Sequence, residues 1–165
     1  MEFDPNKMHY LTATAIIIKD GKYLIAKRSE NEKAMPGLWT VPGGKLEVED
    51  YSKLPKDTGD HWYNVAEKLL KREVKEEVNL EIKNIQYLTS ISFIRPDNIP
   101  VVILSFHADY AGGEVELEEE ALTEFAWVTL SEAKNYKLIE GIYEEIEMLE
   151  KKLKGERAGD WVKIG

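Results

Sequence analysis

Residues 71 to 80 read KREVKEEVNL, and they crowd three carboxylates, Glu73, Glu76 and Glu77, into five positions beside Arg72. Carboxylate oxygens are hard donors, so a cluster of this kind suits Mg²⁺ or Mn²⁺ better than a soft metal. On a wheel at ~100° per residue with Glu73 at zero, Glu77 falls near about +40° and Glu76 near about −60°. Lys68, Lys71 and Lys75 lie roughly opposite and mark the wet face. All three glutamates are therefore expected on the apolar side, with Ala66 and Leu69. Only Glu76 has a helical counter-ion, Arg72 four residues earlier. Glu73 and Glu77 stand four apart as like charges, which costs roughly 0.2–0.5 kcal/mol when exposed and more when desolvated. A solvated acidic helix end is the plain alternative. A divalent cation among the carboxylates would relieve the repulsion.

The rest of the chain bounds what such a cluster can serve. It has 165 residues, 43% hydrophobic and 32% charged, the composition of an ordinary folded protein and a length that suits one domain. That domain is expected over residues 1–165, with its core at about 10–154 and a tail at 155–165. No apolar run is long enough to cross a bilayer, so no membrane partner is expected. The start, MEFDPNKMHY, is acidic and lacks the apolar stretch of a secretion signal. Cysteine is absent, which excludes disulfides, thiolate zinc sites and a cysteine nucleophile. A cytoplasmic location is the expectation that fits. The net charge of −9 repels phosphate polymers, so no nucleic acid polymer is expected as a partner. A small anion could still bind through a bridging metal.

The elements that must position the cluster follow from pattern. Tyr10 to Lys19 and Lys22 to Arg28 are rich in β-branched residues, and Asp20-Gly21 between them is a hairpin turn signal. The segment NEKAMPGLWTVPGGKLEVED is punctuated by Pro36-Gly37 and Pro42-Gly43-Gly44, and reads as loop and short strand. YSKLPKDTGDHWYN is irregular. NVAEKLLKREVKEEVNL is helical, with Asn64 as the candidate N-cap. Two β-rich runs, about Ile85 to Ile94 and Pro100 to Tyr110, flank the turn RPDNIP. AGGEVELEEEALTE reads as a turn, a short strand and an acidic loop. FAWVTL alternates as a strand, and SEAKNY opens a short helix with Ser131 as N-cap. A final amphipathic helix carries Ile139, Ile142, Ile146 and Leu149. This order predicts an α/β fold with a mixed sheet between helices.

PGGKLEVED together with REVKEEVNL resembles the Nudix box, in the manner of MutT-like proteins. The flanking LIAKRS, PGLWTVPGG and FAWVTLSEA are similar to that family too, so the likeness spans about residues 10 to 150. Gly44 would open the box; Arg72, Glu73, Val74, Glu76, Glu77 and Leu80 would fill its second half. Asp50 stands where the pattern has glutamate, and Asn79 where it has glycine, a residue that can also take the left-handed end of a helix. The span from Gly44 to Leu80 is 37 residues against 23 in the family pattern, so 14 are extra, within Tyr51 to Asn64. This insertion carries Tyr51, His61, Trp62 and Tyr63, either as a lid or base-stacking surface or as a packed surface excursion.

The resemblance implies an α/β/α sandwich around a central mixed sheet. It implies a Mg²⁺-dependent hydrolase (Mn²⁺ being the other candidate) that cleaves a phosphoanhydride in a nucleoside diphosphate linked to another group. A nucleoside triphosphate or related small nucleotide is the first substrate to expect. Glu73, Glu76 and Glu77, with the backbone carbonyl of Gly43, would hold the metal, and Arg72 would orient a carboxylate. Arg28 and Lys45 would contact phosphate, unless they are ordinary surface cations. The general base is a glutamate of the box or of a later loop; among Glu118, Glu119, Glu120 and Glu124, Glu120 is favoured, with Glu119 next. His9, His61 and His107 do not cluster, and His107 is expected to be packed or exposed. The alternative function is a non-catalytic nucleotide-sensing module. The isomerase branch of the family is disfavoured by the missing cysteine, and decapping by the acidic balance. A homodimer is left open.

Overall fold

The computed structural model describes residues 2–165; residue 1, the first of the expected domain, lies outside them. Tyr10–Lys19 (β1) and Lys22–Arg28 (β2) form the expected hairpin. Asp20 and Gly21 both have positive φ, 50° and 72°, as required by the tight turn whose twist matches two right-twisted strands. Two short strands follow, Trp39–Thr40 (β3) and Gly43–Lys45 (β4), then a single helical turn, Glu49–Ser52 (α1). Val65–Val78 (α2) carries the glutamate cluster. Glu81–Ile94 (β5) and Pro100–Gly112 (β6) pair antiparallel, Leu122–Val128 (β7) follows, and Leu130–Ala133 (α3) and Ile142–Leu153 (α4) end the ordered elements.

Seven strands make one mixed sheet with the path β3-β2-β1-β6-β5; β4 pairs with β1, and β7 with β2. β1 and β6 run parallel, from Tyr10 opposite Val101 to Ile18 opposite Asp109. A parallel pair needs a long crossover and cover on both faces, and β1 reads accordingly: Ala13, Ala15, Ile16 and Ile17 are all buried. On one face Leu69, Leu70, Val74 and Val78 of α2 pack on Ala13, Ala15 and Leu24. On the other, Ile146 and Leu149 of α4 pack on Ile16 and Ile25. Each such side chain contributes roughly 1.5–3 kcal/mol by leaving water. The result is the expected α/β/α sandwich.

Several local expectations give way. Asn64 stands at the start of α2, but in the left-handed conformation (φ 55°), and its side chain caps nothing. α3 begins two residues earlier than an N-cap at Ser131 implies. Its N-cap is Thr129, not Ser131, because Thr129 and Glu132 form a reciprocal capping box. α4 starts at Ile142, so Ile139 precedes it; its N–H donates to the carbonyl of Trp39 instead. No strand forms between Gly113 and Ala121. There the N–H groups of Glu116 and Glu118 donate to the carbonyls of Val78 and Glu77 at 3.2 and 2.9 Å, satisfying acceptors that the last turn of α2 would otherwise leave open. Among the described residues, no helix is long and apolar enough to cross a membrane.

Candidate active site

α2 is helical because its apolar residues recur at turn spacing, and it stops at Asn79, which takes the left-handed conformation (φ 59°) and donates its N–H to Lys75 O. Burying Val74 and Val78 against the sheet fixes the rotation of the helix. That rotation brings Glu73 and Glu77 up against β4. The Gly43 N–H donates to Glu77 Oε2 at 3.0 Å. Burial pushes the Glu77 carboxyl up to about 7; the Gly43 N–H opposes this, while the charges of Glu73 and Glu118 reinforce it. Burial raises Glu73 as well, against the pull of Arg72. The backbone of Gly44 lies so close that a Cβ there would fall on the Glu73 carboxyl, and one on Gly43 would strike the Ala13 carbonyl and Thr14. Gly43 is thus required by close approach to backbone, while Gly44 leaves room for the Glu73 carboxyl. Glu76 departs from the expectation: its side chain is 56% exposed.

Arg72 explains how this charge density is tolerated. Its Nη2 sits 3.0 Å from Glu73 Oε1, its Nη1 donates to Glu76 Oε2 at 2.9 Å, and its Nε lies 2.7 Å from Asp50 Oδ1. The last contact is ionic: Nε finds no well-directed acceptor. Asp50 is nearly buried (7% exposed) and also accepts the Glu47 N–H at 2.7 Å. One guanidinium therefore ties three carboxylates together, one of them from α1. Asp50 was not among the expected site residues; its only sequence signal is its place in the family pattern, six residues after Gly44.

The other expected residues divide. Arg28 is partly buried, anchored by the Ala34 carbonyl and Glu32 at 3.0 Å each, and its charge reaches Glu77. Lys45 is exposed, with its Nζ 5.9 Å from the Tyr10 ring centroid. Glu120 is exposed. Of the late glutamates, Glu118 is the one whose charge acts on Glu77, while Glu124 pairs with Lys27 at 2.9 Å. His107 is buried beside α4, where Lys152 Nζ lies 2.9 Å from its Nε2. Segment 51–64 folds on itself: the Tyr51 and Trp62 rings meet at 5.4 Å, and Trp62 donates to Leu54 O.

Among the described residues, no three acidic or histidine side chains converge as a closed metal cage. The donors fit a different kind of site. Mg²⁺ commonly takes one or two carboxylates, keeps several waters and completes its shell with substrate phosphate. Two half-buried carboxyls one turn apart, whose burial disfavours their charge, and a side-chain-free wall at Gly44 match that chemistry.

The family model described as NUDIX domain matches residues 8–149. Among curated relatives, the NAD-capped RNA hydrolase NudC of a Pseudomonas fluorescens strain is 45% identical over 62 residues, 38% of this chain and 21% of the relative. The NudC of Photobacterium profundum is 28% identical over 114 residues, 69% of this chain and 35% of the relative. The matches thus span a fifth to a third of those relatives' length. Among solved structures, a MutT protein from Methanosarcina mazei Go1 superposes with TM-score 0.66 at 22% identity, covering 88% of this chain and 96% of that one. The NUDIX domain of Shewanella oneidensis NrtR, complexed with ADP ribose, superposes at 0.63 with 18% identity, covering 93% of each.

Proposed function

The chain belongs to the NUDIX domain family, and on that footing we propose that it is a Mg²⁺-dependent hydrolase of a nucleoside diphosphate linked to another group. The bond broken is a phosphoanhydride. The observation that carries this reading is the pair of half-buried carboxyls, Glu73 and Glu77, set against the side-chain-free backbone of Gly43 and Gly44. Glu73, Glu76 and Glu77, with the Gly43 carbonyl, would hold the metal. Bound there, Mg²⁺ would neutralise phosphate charge, polarise a phosphoryl oxygen and acidify a water.

The chain's own groups do the rest. Arg72 holds Glu73 and Glu76 in place through its fork, and Asp50 holds Arg72. Arg28, kept in position by Glu32 and Ala34, offers a cation to a phosphate near Glu77; Lys45 offers a second, more exposed one. Glu118, whose N–H donates to the Glu77 carbonyl and whose charge acts at Glu77, would take the water's proton in preference to Glu120. The expectation that excluded nucleic acid polymers is set aside, since relatives are named as NAD-capped RNA hydrolases. The substrate panel is therefore nucleoside triphosphates, ADP ribose, NAD and NAD-capped RNA, assayed with Mg²⁺ for released phosphate, pyrophosphate or mononucleotide. Turnover of at least one supports the reading. Binding without turnover across the panel replaces it with the nucleotide-sensing module.

A further inference from the structure

We propose that the hollow between the acidic loop and β7 is a nucleobase subsite, with Phe125 as its stacking platform, for a base that bears an exocyclic amino group. This rests on the nucleotide-hydrolase reading above. The hollow is open to solvent, offers about 430 Å³ and is lined by Val115, Leu117, Glu119, Leu122, Thr123 and Phe125, room enough for a nucleobase. Its floor is apolar: Leu122 is buried in the α2-side core. Phe125 is 44% exposed, and among the described residues it stacks on no other ring. A large aromatic left open on a strand, beside a hollow, is what base stacking uses.

Position ties the hollow to the carboxylate cluster. Phe125 pairs with Ala26 across the β2–β7 ladder, and Ala26 lies on the same sheet face as Arg28, two residues on. Arg28 is the cation that reaches Glu77. From the other side, Glu118 donates its N–H to the Glu77 carbonyl, and its neighbours Leu117 and Glu119 line the hollow. A nucleotide with its phosphates at Arg28 therefore has its base end within reach of Phe125. Charge fixes the direction. Glu119 lines the hollow between two further glutamates in the chain, Glu118 and Glu120, and its carboxylate repels phosphate, so the uncharged end of the nucleotide enters. The Glu119 carboxylate can only accept hydrogen bonds, and a base with an amino group donates them.

The test reads binding apart from turnover. Backbone amide shifts of the full-length, metal-free protein are followed while AMP is added, then IMP, which lacks the amino group. AMP is expected to shift amides of 115–125, to bind more tightly than IMP, and to lose roughly 5- to 100-fold in affinity in Phe125→Ala but not in Phe125→Tyr. Glu119→Ala is expected to erase the preference for AMP over IMP. Shifts confined to the groove between Ala133 and Glu144, or an unchanged affinity in Phe125→Ala, would overturn the subsite. If no member of the substrate panel is hydrolysed, the hydrolase reading falls, and the AMP titration still decides the hollow.

Discussion

Glu77 is pulled in opposite directions: burial favours its proton, while the Gly43 N–H favours its charge. A divalent ion bound there would tip the balance toward charge, which ties the proposed activity to this carboxyl. Glu77→Gln keeps an oxygen for the Gly43 N–H but supplies no negative charge. It is expected to lower Mg²⁺-dependent turnover by about 100-fold or more, the rate equivalent of the several kcal/mol of charge stabilisation a metal provides. Its metal-free melting temperature should stay level or rise. Activity at the wild-type rate would remove Glu77 from the site. Asp50 acts one step further out. Because Arg72 is 36% exposed, solvent screens the pair, and Asp50→Ala is expected to cost only about 1 kcal/mol in urea denaturation. Its larger effect should be on kcat, through a loosened Arg72. Spacing fixes which face a side chain takes, yet it also put the exposed Glu76 on the apolar side, and the metal reading needed the resemblance of the whole box; the face shared by Glu73 and Glu77 was legible from spacing. Asp50 and Glu118 were not, since they meet the helix through folding of distant segments, and no local period records that.

At the scale of elements, the hairpin of β1 and β2 and the helix α2 were readable because each carries its own signal: Asp20-Gly21 for one, Leu69, Leu70, Val74 and Val78 for the other. The TLSE stretch that caps α3 is equally present, but Ser131, the expected N-cap, lies two residues past the actual one, Thr129. The acidic loop misled for a physical reason: its alternating EVELE pattern looks like a strand, yet its N–H groups are taken by the end of α2. Two substitutions test element-level claims. Thr129→Ala removes the oxygen that accepts the Glu132 N–H and is expected to destabilise by about 1 kcal/mol, measured by urea denaturation. Gly44→Ala drives a methyl into the Glu73 carboxyl; it is expected to weaken Mg²⁺ binding roughly 10-fold by titration calorimetry. Unaltered affinity would mean Glu73 has room to move aside.

Across the whole molecule, the sheet joins two cores of different character. The α2 side faces the proposed chemistry; the α4 side hides a buried carboxyl, Glu145, which accepts from Ser105 Oγ. Burial raises the Glu145 carboxyl above its ordinary value of 4.5, with Glu144 adding to the effect and Ser105 opposing it. The folded form therefore holds this proton more tightly than the unfolded chain does. Its contribution to stability is complete below pH 4.5 and is lost as pH rises through the raised value. Glu145→Gln should flatten that part of the pH–stability curve, read from melting temperatures of both proteins; parallel curves would contradict the shift. The parallel pairing of β1 with β6 has a consequence for biogenesis. The hairpin that carries Arg28 is synthesised before β6, so β1 keeps one bare edge until residues 100 to 112 follow it. At roughly 5–20 residues per second that is a wait of several seconds. During it the open edge of an apolar strand is exposed to wrong partners until its last neighbour arrives.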